Sequence, residues 1–339
     1  DGSVMLGHRR LAIIDLSANG HQPMTDVGQN LTIVFNGTIY NYPELRDQLI
    51  AAGYAFQSHS DTEVILNAFA HWGEACVEKL HGMFAFAIWN KQSQQLFLAR
   101  DRMGIKPLYY LKTDSFFFFA SNPQALLKTG VCDTSIDPVS LHHLFTLHAV
   151  VPAPGTLFKG VKKCPPAHTM KLDKRGQLTV SRYWQLIAKR PEIPRTDAEW
   201  RESIHQTLLQ AVKKRLTIAD VPVGVLLSGG LDSSLLVALL AEAGVKNIKT
   251  FSIGFEDQPE EKGNEFEYSD PVAEMYQTDH HKFLIPNAEV LQRLPEAVAS
   301  MAEPMFGQDA VAFYLLSERV SKSVKVVQSG QGADEVFAG

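Results

Sequence analysis

The chain has 339 residues, enough for two domains at ~100–200 residues each. Its 45% hydrophobic and 20% charged residues are ordinary for a globular protein, and a net charge of −5 argues against a general nucleic-acid surface. No apolar run approaches the ~20 residues of a membrane span, and the scattered Cys76, Cys132 and Cys164 form neither a Cys-x-x-Cys pair nor a disulfide framework, so a reducing cytoplasm fits best.

The first half reads as short strands with two or three helices. A strand is predicted over 31–35, ending at Asn36-Gly37. Pro43 then opens a helix at its first turn and Gly53 closes it. Asp61-Thr62 caps a second helix over 63–72, whose Val64, Ile65, Ala68 and Phe69 share one face. Strands joined by tight turns follow over 84–89, 95–99, 108–111 and 116–120. Mostly hairpin-linked strands of this kind imply an α+β domain. A Pro/Gly-rich stretch covers 151–166, and a break with two prolines covers 189–194. The boundary is therefore set at a linker over 184–196, between domains over 1–183 and 197–339. Thr196 and Glu199 form a capping box that opens a long helix to about Leu216.

The second half alternates. Strands over 221–227, 249–255, 281–285 and 324–328 are interleaved with helices over 231–243, 271–276, 288–301 and 309–320. This is the pattern of a parallel α/β sheet, with ligands expected at the carboxyl ends of its strands.

Two loops stand at such ends. The first is Ser228-Gly229-Gly230-Leu231-Asp232-Ser233-Ser234, between an apolar strand and an apolar helix. Glycines let backbone N–H groups approach an anion, serines add hydroxyl donors, and a helix start adds partial positive charge. Asp232 beside a phosphate needs a cation between them, which points to Mg²⁺. The second loop is Ser329-Gly330-Gln331-Gly332-Ala333-Asp334-Glu335, so Asp232 and Asp334 are expected to share the metal. The bland alternative for the first loop is a tight turn and a capped helix. For Glu335, a plain helix-start acid is an equal alternative. Neither a Walker A loop nor the Gly-x-Gly-x-x-Gly fingerprint is present. The pairs His142-His143 and His280-His281 point apart on any regular element and do not read as metal ligands.

The first loop resembles the pyrophosphate-binding loop of the ATP pyrophosphatases, which split ATP between its α- and β-phosphates. Further runs widen the resemblance: Arg10-Leu11-Ala12-Ile13-Ile14-Asp15, Phe35-Asn36-Gly37-Thr38-Ile39-Tyr40-Asn41, Ser60-Asp61-Thr62-Glu63-Val64-Ile65, Gly82-Met83-Phe84-Ala85-Phe86-Ala87, and Arg100-Asp101-Arg102-Met103-Gly104-Ile105-Lys106-Pro107-Leu108-Tyr109. Together they resemble the glutamine-dependent asparagine synthetases over essentially the whole chain. The resemblance implies a class II glutaminase domain of mainly antiparallel sheets, then an α/β parallel-sheet pyrophosphate-loop domain, both truncated. It implies glutamine hydrolysis in the first. In the second, ATP converts a carboxylate to an acyl-adenylate, which ammonia displaces to leave an amide, AMP and pyrophosphate. The implied ligands are small molecules, with ATP and Mg²⁺ as cofactors and neither nucleic acid nor membrane as partner. A homodimer is among the assemblies it leaves open.

Carried over by position, Arg10 would pair with the glutamine α-carboxylate and Leu11, Ala12, Ile13 and Ile14 would line that pocket. Asn36 and the Gly37 backbone would form the oxyanion hole, and Asp61 would hold the amino group, with Thr38 beside it. Leu226, Ile253, Ser329 and Gly330 would frame the nucleotide, and Ser228, Gly229, Gly230, Leu231, Asp232, Ser233 and Ser234 would hold its phosphates.

Three departures modify this. The family's Met-Cys-Gly start, with its cysteine nucleophile, does not appear, so this stretch is expected to lack glutaminase activity and to begin inside the domain. Thr38 and Gln331 each stand where the family usually carries Glu. With Glu303-Pro304-Met305 and residues 311–316, Gln331 resembles the N-acetylglutaminylglutamine amidotransferases, which amidate a small acetylated dipeptide rather than aspartate. A tRNA-modifying pyrophosphate-loop enzyme and a degenerate non-catalytic relative are the alternatives.

Overall fold

Alternating apolar residues over 31–39 and 82–100 build the middle of a six-stranded antiparallel sheet. The computed structural model describes residues 3–26, 28–257, 262–305 and 309–337. Its contacts divide into one unit of Asp1–Ala188 with Ala302–Met305 and another of Lys189–Met301 with Phe306–Gly339.

In the first unit the elements are β1 (Met24–Asp26), β2 (Leu31–Ile39), α1 (Tyr42–Ala51), α2 (Asp61–Trp72), α3 (Cys76–Lys79), β3 (Gly82–Asn90), β4 (Gln95–Arg100), β5 (Tyr109–Lys112), β6 (Phe117–Ala120), α4 (Pro123–Leu127), α5 (Pro138–Thr146), β7 (Lys162–Lys163), β8 (His168–Leu172) and β9 (Leu178–Arg182). The large sheet runs β1-β2-β3-β4-β8-β9, and β6-β5-β7 form a second, smaller one. Side chains alternate between its faces, as strand geometry requires. Ile33, Phe35, Phe84, Phe86 and Ile88 pack against Val64 and Ile65 of α2 and Leu45 and Leu49 of α1. Val34, Ala85, Ala87 and Leu98 face the other way, toward Leu108 and toward Phe117 and Phe119 of the small sheet.

Two details differ from expectation. The strand predicted over 31–35 continues to Ile39, so Asn36-Gly37 is not a turn. Gly37 pairs with Phe84 at φ +155, and a Cβ there would meet the Met83 carbonyl oxygen and come within 2.8 Å of Phe84 Cα. Only glycine fits so close a ladder. The cap of α2 is Ser60, whose extended backbone lets its hydroxyl accept from Glu63 N–H. That frees Asp61 for another partner.

The second unit holds α6 (Asp197–Thr217), β10 (Val223–Leu226), α7 (Leu231–Glu242), β11 (Lys249–Phe255), α8 (Phe266–Met275), β12 (Asp279–Ile285), α9 (Asn287–Ser300), α10 (Asp309–Val320), β13 (Val326–Gln328) and α11 (Ala333–Phe337). The capping box of Thr196 and Glu199 opens α6. The sheet runs β12-β11-β10-β13, parallel throughout. Leu209 and Val212 of α6, Val237 and Leu240 of α7 and Ala273 of α8 cover the face bearing Val225. Phe251 packs with Leu316, Val320 and Val324, while Ile285, Ala297, Val311 and Leu315 extend that layer. Helix α8 starts at Phe266 rather than at Pro271, which lies inside it. The Phe266 ring fills the space that a Cβ on Gly254 would take, at 2.8 Å, so packing anchors the extra turn upstream of the proline.

Candidate functional site

A cavity of about 340 Å³ opens in the first unit. Arg10, Leu11, Ile13 and Ile14 line one part of its wall, and Asn36, Gly37, Thr38 and Asp61 another. Ala12 is partly exposed and is not part of the wall. Strand β2 supplies Asn36, Gly37 and Thr38 because it runs on past Phe35. The first turn of α2 supplies Asp61.

Asp61 is 5% exposed and accepts from the Ile39 N–H at 3.0 Å. Burial raises its pKa to about 7, opposed in part by the Ile39 bond and the Arg10 charge. Arg10 Nη2 donates to the carbonyls of Ile14 and Asp15 at 2.5 and 2.7 Å. Its guanidinium also lies in the place of a Cβ on Gly20, 2.5 Å from Nη2. One edge of the fork is thus already committed to main chain. Asp15 ties this segment down by accepting from Ser17 N–H at 3.0 Å and His59 N–H at 2.8 Å. Burial pushes its carboxyl up, but the Ser17 and His59 bonds outweigh that and hold it below the usual range. Burial pushes the thiols of Cys76 and Cys164 up to about 12, which leaves them unreactive at neutral pH.

The second set of residues gathers where β10 and β13 lie side by side. From β10 the sheet grows through β11 to β12 on one side, and β13 is added on the other. The strand order reverses between β10 and β13, which is where open α/β sheets form a crevice. The loop after Leu226 and the loop after Gln328 flank it. A Cβ on Gly330 would lie 2.8 Å from Asp232 Cβ and 3.2 Å from Ser233 N. Gly229 adopts φ +90 against the backbone of Tyr268 and Ser269, where a Cβ would lie 2.6 Å from Ser269 N. Helix α7 starts from Gly230, which has no side chain to cap its first N–H groups.

Ser228 Oγ meets Ser233 Oγ at 3.0 Å, and Ser233 and Ser234 hydroxyls donate to the Gly230 carbonyl at 3.1 and 2.8 Å. The loop's hydroxyls are therefore bonded within the loop itself. Leu226 and Ile253 pack on the Phe251 cluster, and Leu231 is 84% exposed. Gln331 is exposed, with its N–H 3.4 Å from Ser329 Oγ, and Asp334 and Glu335 stand in the first turn of α11. Among the described residues no three His, Cys, Asp or Glu side chains gather as a metal site. Two carboxylates with phosphate oxygens would be a sufficient hard-oxygen set for Mg²⁺.

Sequence reasoning missed several cavity residues. Gln22 accepts from the Phe35 N–H at 2.6 Å and lines the cavity, as do Lys106 and Ser121. No local pattern singles out Gln22 or Ser121. Lys106 lies within the run over 100–109, where the family resemblance implies no role for it.

A family model for a glutamine amidotransferase domain matches residues 1–184, and one for asparagine synthase matches residues 203–339. The chain is 36% identical over 353 residues to asparagine synthetase (glutamine-hydrolyzing) 3 of Bacillus subtilis (strain 168), covering 99% of this chain and 56% of that one. It is 37% identical over 341 residues to asparagine synthetase (glutamine-hydrolyzing) 1 of the same organism, covering 100% and 52%. It is 34% identical over 356 residues to a putative asparagine synthetase (glutamine-hydrolyzing) 2 of Methanocaldococcus jannaschii, covering 99% and 67%. The chain thus spans about half the length of the two Bacillus relatives.

Proposed function

The chain belongs to the asparagine synthase family that carries a glutamine amidotransferase domain, and from that premise we propose that the whole protein amidates a carboxylate with glutamine-derived ammonia at the expense of ATP. The reading takes the cavity of the first unit as the glutamine site and the crevice of the second as the nucleotide site. Arg10 and Asp61 would hold the zwitterionic end of glutamine, and Asn36 with the Gly37 N–H would face the developing oxyanion.

The observation that carries the nucleotide half is the meeting of the two loops at the strand-order reversal, with Gly330 against Asp232. Backbone N–H groups at the start of α7 suit the phosphates, and Leu226 and Ile253 offer an apolar seat for the base. Mg²⁺, when bound, would offset repulsion between the phosphates and Asp232 and Asp334. Attack of the acceptor carboxylate on the α-phosphorus would give an acyl-adenylate and pyrophosphate, and ammonia would then displace AMP.

The acceptor is proposed to be an N-acetylglutaminylglutamine-like dipeptide rather than aspartate. Gln331 supports this, because a neutral amide at the lip of the crevice cannot supply the charge or base that Glu would. The whole protein, given ATP, Mg²⁺, glutamine and either acceptor, is expected to release AMP and pyrophosphate. Release of ADP and inorganic phosphate would refute the adenylate route, and a preference for aspartate would refute the dipeptide.

A further inference from the structure

The loop joining β4 to β5 sorts its side chains against their solvation. Met103 and Ile105 are 59% and 58% exposed, whereas Lys106 is turned into the wall of the cavity lined by Arg10, Asn36 and Asp61. A loop free to relax would do the reverse, since lysine is among the residues least often taken out of water.

Two charged side chains keep it from relaxing. The carboxylate of Asp101, 1% exposed, accepts from the N–H groups of Phe84 and Met103 at 3.1 Å and of Ile105 and Lys106 at 2.9 Å. The guanidinium of Arg100 donates to the carbonyls of Gly104 at 2.7 Å, Lys106 at 2.8 Å and Cys164 at 2.6 Å. Gly104 takes a left-handed φ of +69, where a Cβ would lie 2.8 Å from Pro166 Cγ. Pro107 fixes the next backbone angle. The main chain on both sides of Lys106 is thus pinned, and the position of the lysine is built into the loop.

The cavity has a use for such a cation. Arg9 also lines the cavity but is exposed to water, and Arg10 already donates to the carbonyls of Ile14 and Asp15. Burial depresses the Lys106 ammonium below its ordinary range, partly offset by Asp101. A cation in that condition gains most from an anionic ligand. We propose that Lys106 joins Arg10 on the α-carboxylate of the amide donor and makes the cavity select amino-acid amides over amides that lack that group. This rests on the reading of the cavity as the glutamine site. The competing assignment is that Lys106 merely balances Asp101.

The test compares hydrolysis of glutamine and of γ-aminobutyramide, the same amide without its α-carboxylate, by the full-length protein and its Lys106→Met and Lys106→Arg variants. Lys106→Met is expected to raise the glutamine KM about ten- to a hundredfold, as loss of a charge-assisted hydrogen bond does. The effect on kcat should be smaller. The preference for glutamine over γ-aminobutyramide should shrink by the same factor, and Lys106→Arg should restore part of it. An unchanged preference in Lys106→Met, with both amides falling together or neither falling, overturns the proposal and leaves the glutamine reading intact. Should Lys106→Met fail to fold, Lys106→Gln decides: a folded glutamine variant, which keeps a polar side chain without the charge, should show the same rise in KM and the same loss of preference, and one that leaves both unaltered overturns the proposal. A parent that hydrolyses no glutamine sinks both readings together.

Discussion

Gly330 and Asp232 come from loops far apart in the chain, yet a Cβ on the first would stand 2.8 Å from the Cβ of the second. The contact is between main-chain-bound atoms, so neither side can swing away. It sets the position of the Asp232 Cβ, from which the carboxylate projects, relative to the turn that follows β13.

Gly330→Ala should therefore push the two loops apart by several tenths of an ångström while leaving the sheet in place. Misplacement on the ångström scale can cost about a hundredfold in rate. A comparable loss of ATP-dependent pyrophosphate release is expected in the whole protein. Thermal unfolding within a few degrees of the parent would show that the fold survives, and unimpaired pyrophosphate release would contradict the site.

Asp61 predicts a pH dependence. Its folded-state pKa is raised to about 7 by burial, above its unfolded value. Between the two values the folded state holds the proton more tightly, so stability is full below the unfolded pKa and declines as pH rises toward 7. Asp61→Asn, which keeps an acceptor for the Ile39 N–H, should flatten that decline and stabilise the protein at pH 8 by about 2–4 kcal/mol. Binding of a substrate ammonium needs the carboxylate, so glutamine affinity should fall as pH drops below about 7. Parallel denaturation curves for parent and variant across this range would discount the shift.

Asp101→Ala removes the acceptor of four N–H groups and the charge that partly offsets burial of the Lys106 ammonium. Loss of a buried, multiply bonded carboxylate costs about 3–5 kcal/mol. Urea unfolding should report a drop of that order, larger than for any single exposed substitution in the same loop.

Ser60→Ala tests the observed cap of α2. Ser60 is fully buried, and its hydroxyl accepts from Glu63 N–H at 3.3 Å. The expected cost is about 1–2 kcal/mol. Thr62→Ala should cost less, since Thr62 sits inside the helix rather than at its cap.

Gln331→Glu tests the acceptor. Restoring a carboxylate at the crevice should raise aspartate-dependent amide formation by about tenfold or more. No gain would mean that features other than this position exclude aspartate.

The second unit was the more legible half. Strand 249–255 and helix 309–320 were read to the residue, because their apolar runs are bounded by polar or glycine breaks and parallel strands buried on both faces leave continuous signals. The crevice loops are legible because each follows directly on a short apolar strand, although only β10 of the two is buried. The first unit hid more. Asn36-Gly37 reads locally as a turn, and only the pairing of Gly37 with Phe84 across the sheet makes it strand. Strands β8 and β9 and helix α5 lie in or beside the Pro-rich stretch, where turn residues mask short elements. The walls of the cavity come from seven separate segments, and for Gln22, Lys106 and Ser121 nothing nearby in sequence announces a shared surface.

The order β12-β11-β10-β13 also dictates how the second unit must assemble. On a ribosome, β10 emerges early and can recruit β11 and β12 from the residues just behind it. Its other edge stays open until β13 has been made, a delay on the order of seconds at ordinary elongation rates. An unsatisfied strand edge during that interval invites pairing with foreign chains. The groove between β10 and β13 is thus the last part of the sheet to be born, and mutations there should lower soluble yield before they lower the stability of molecules already folded.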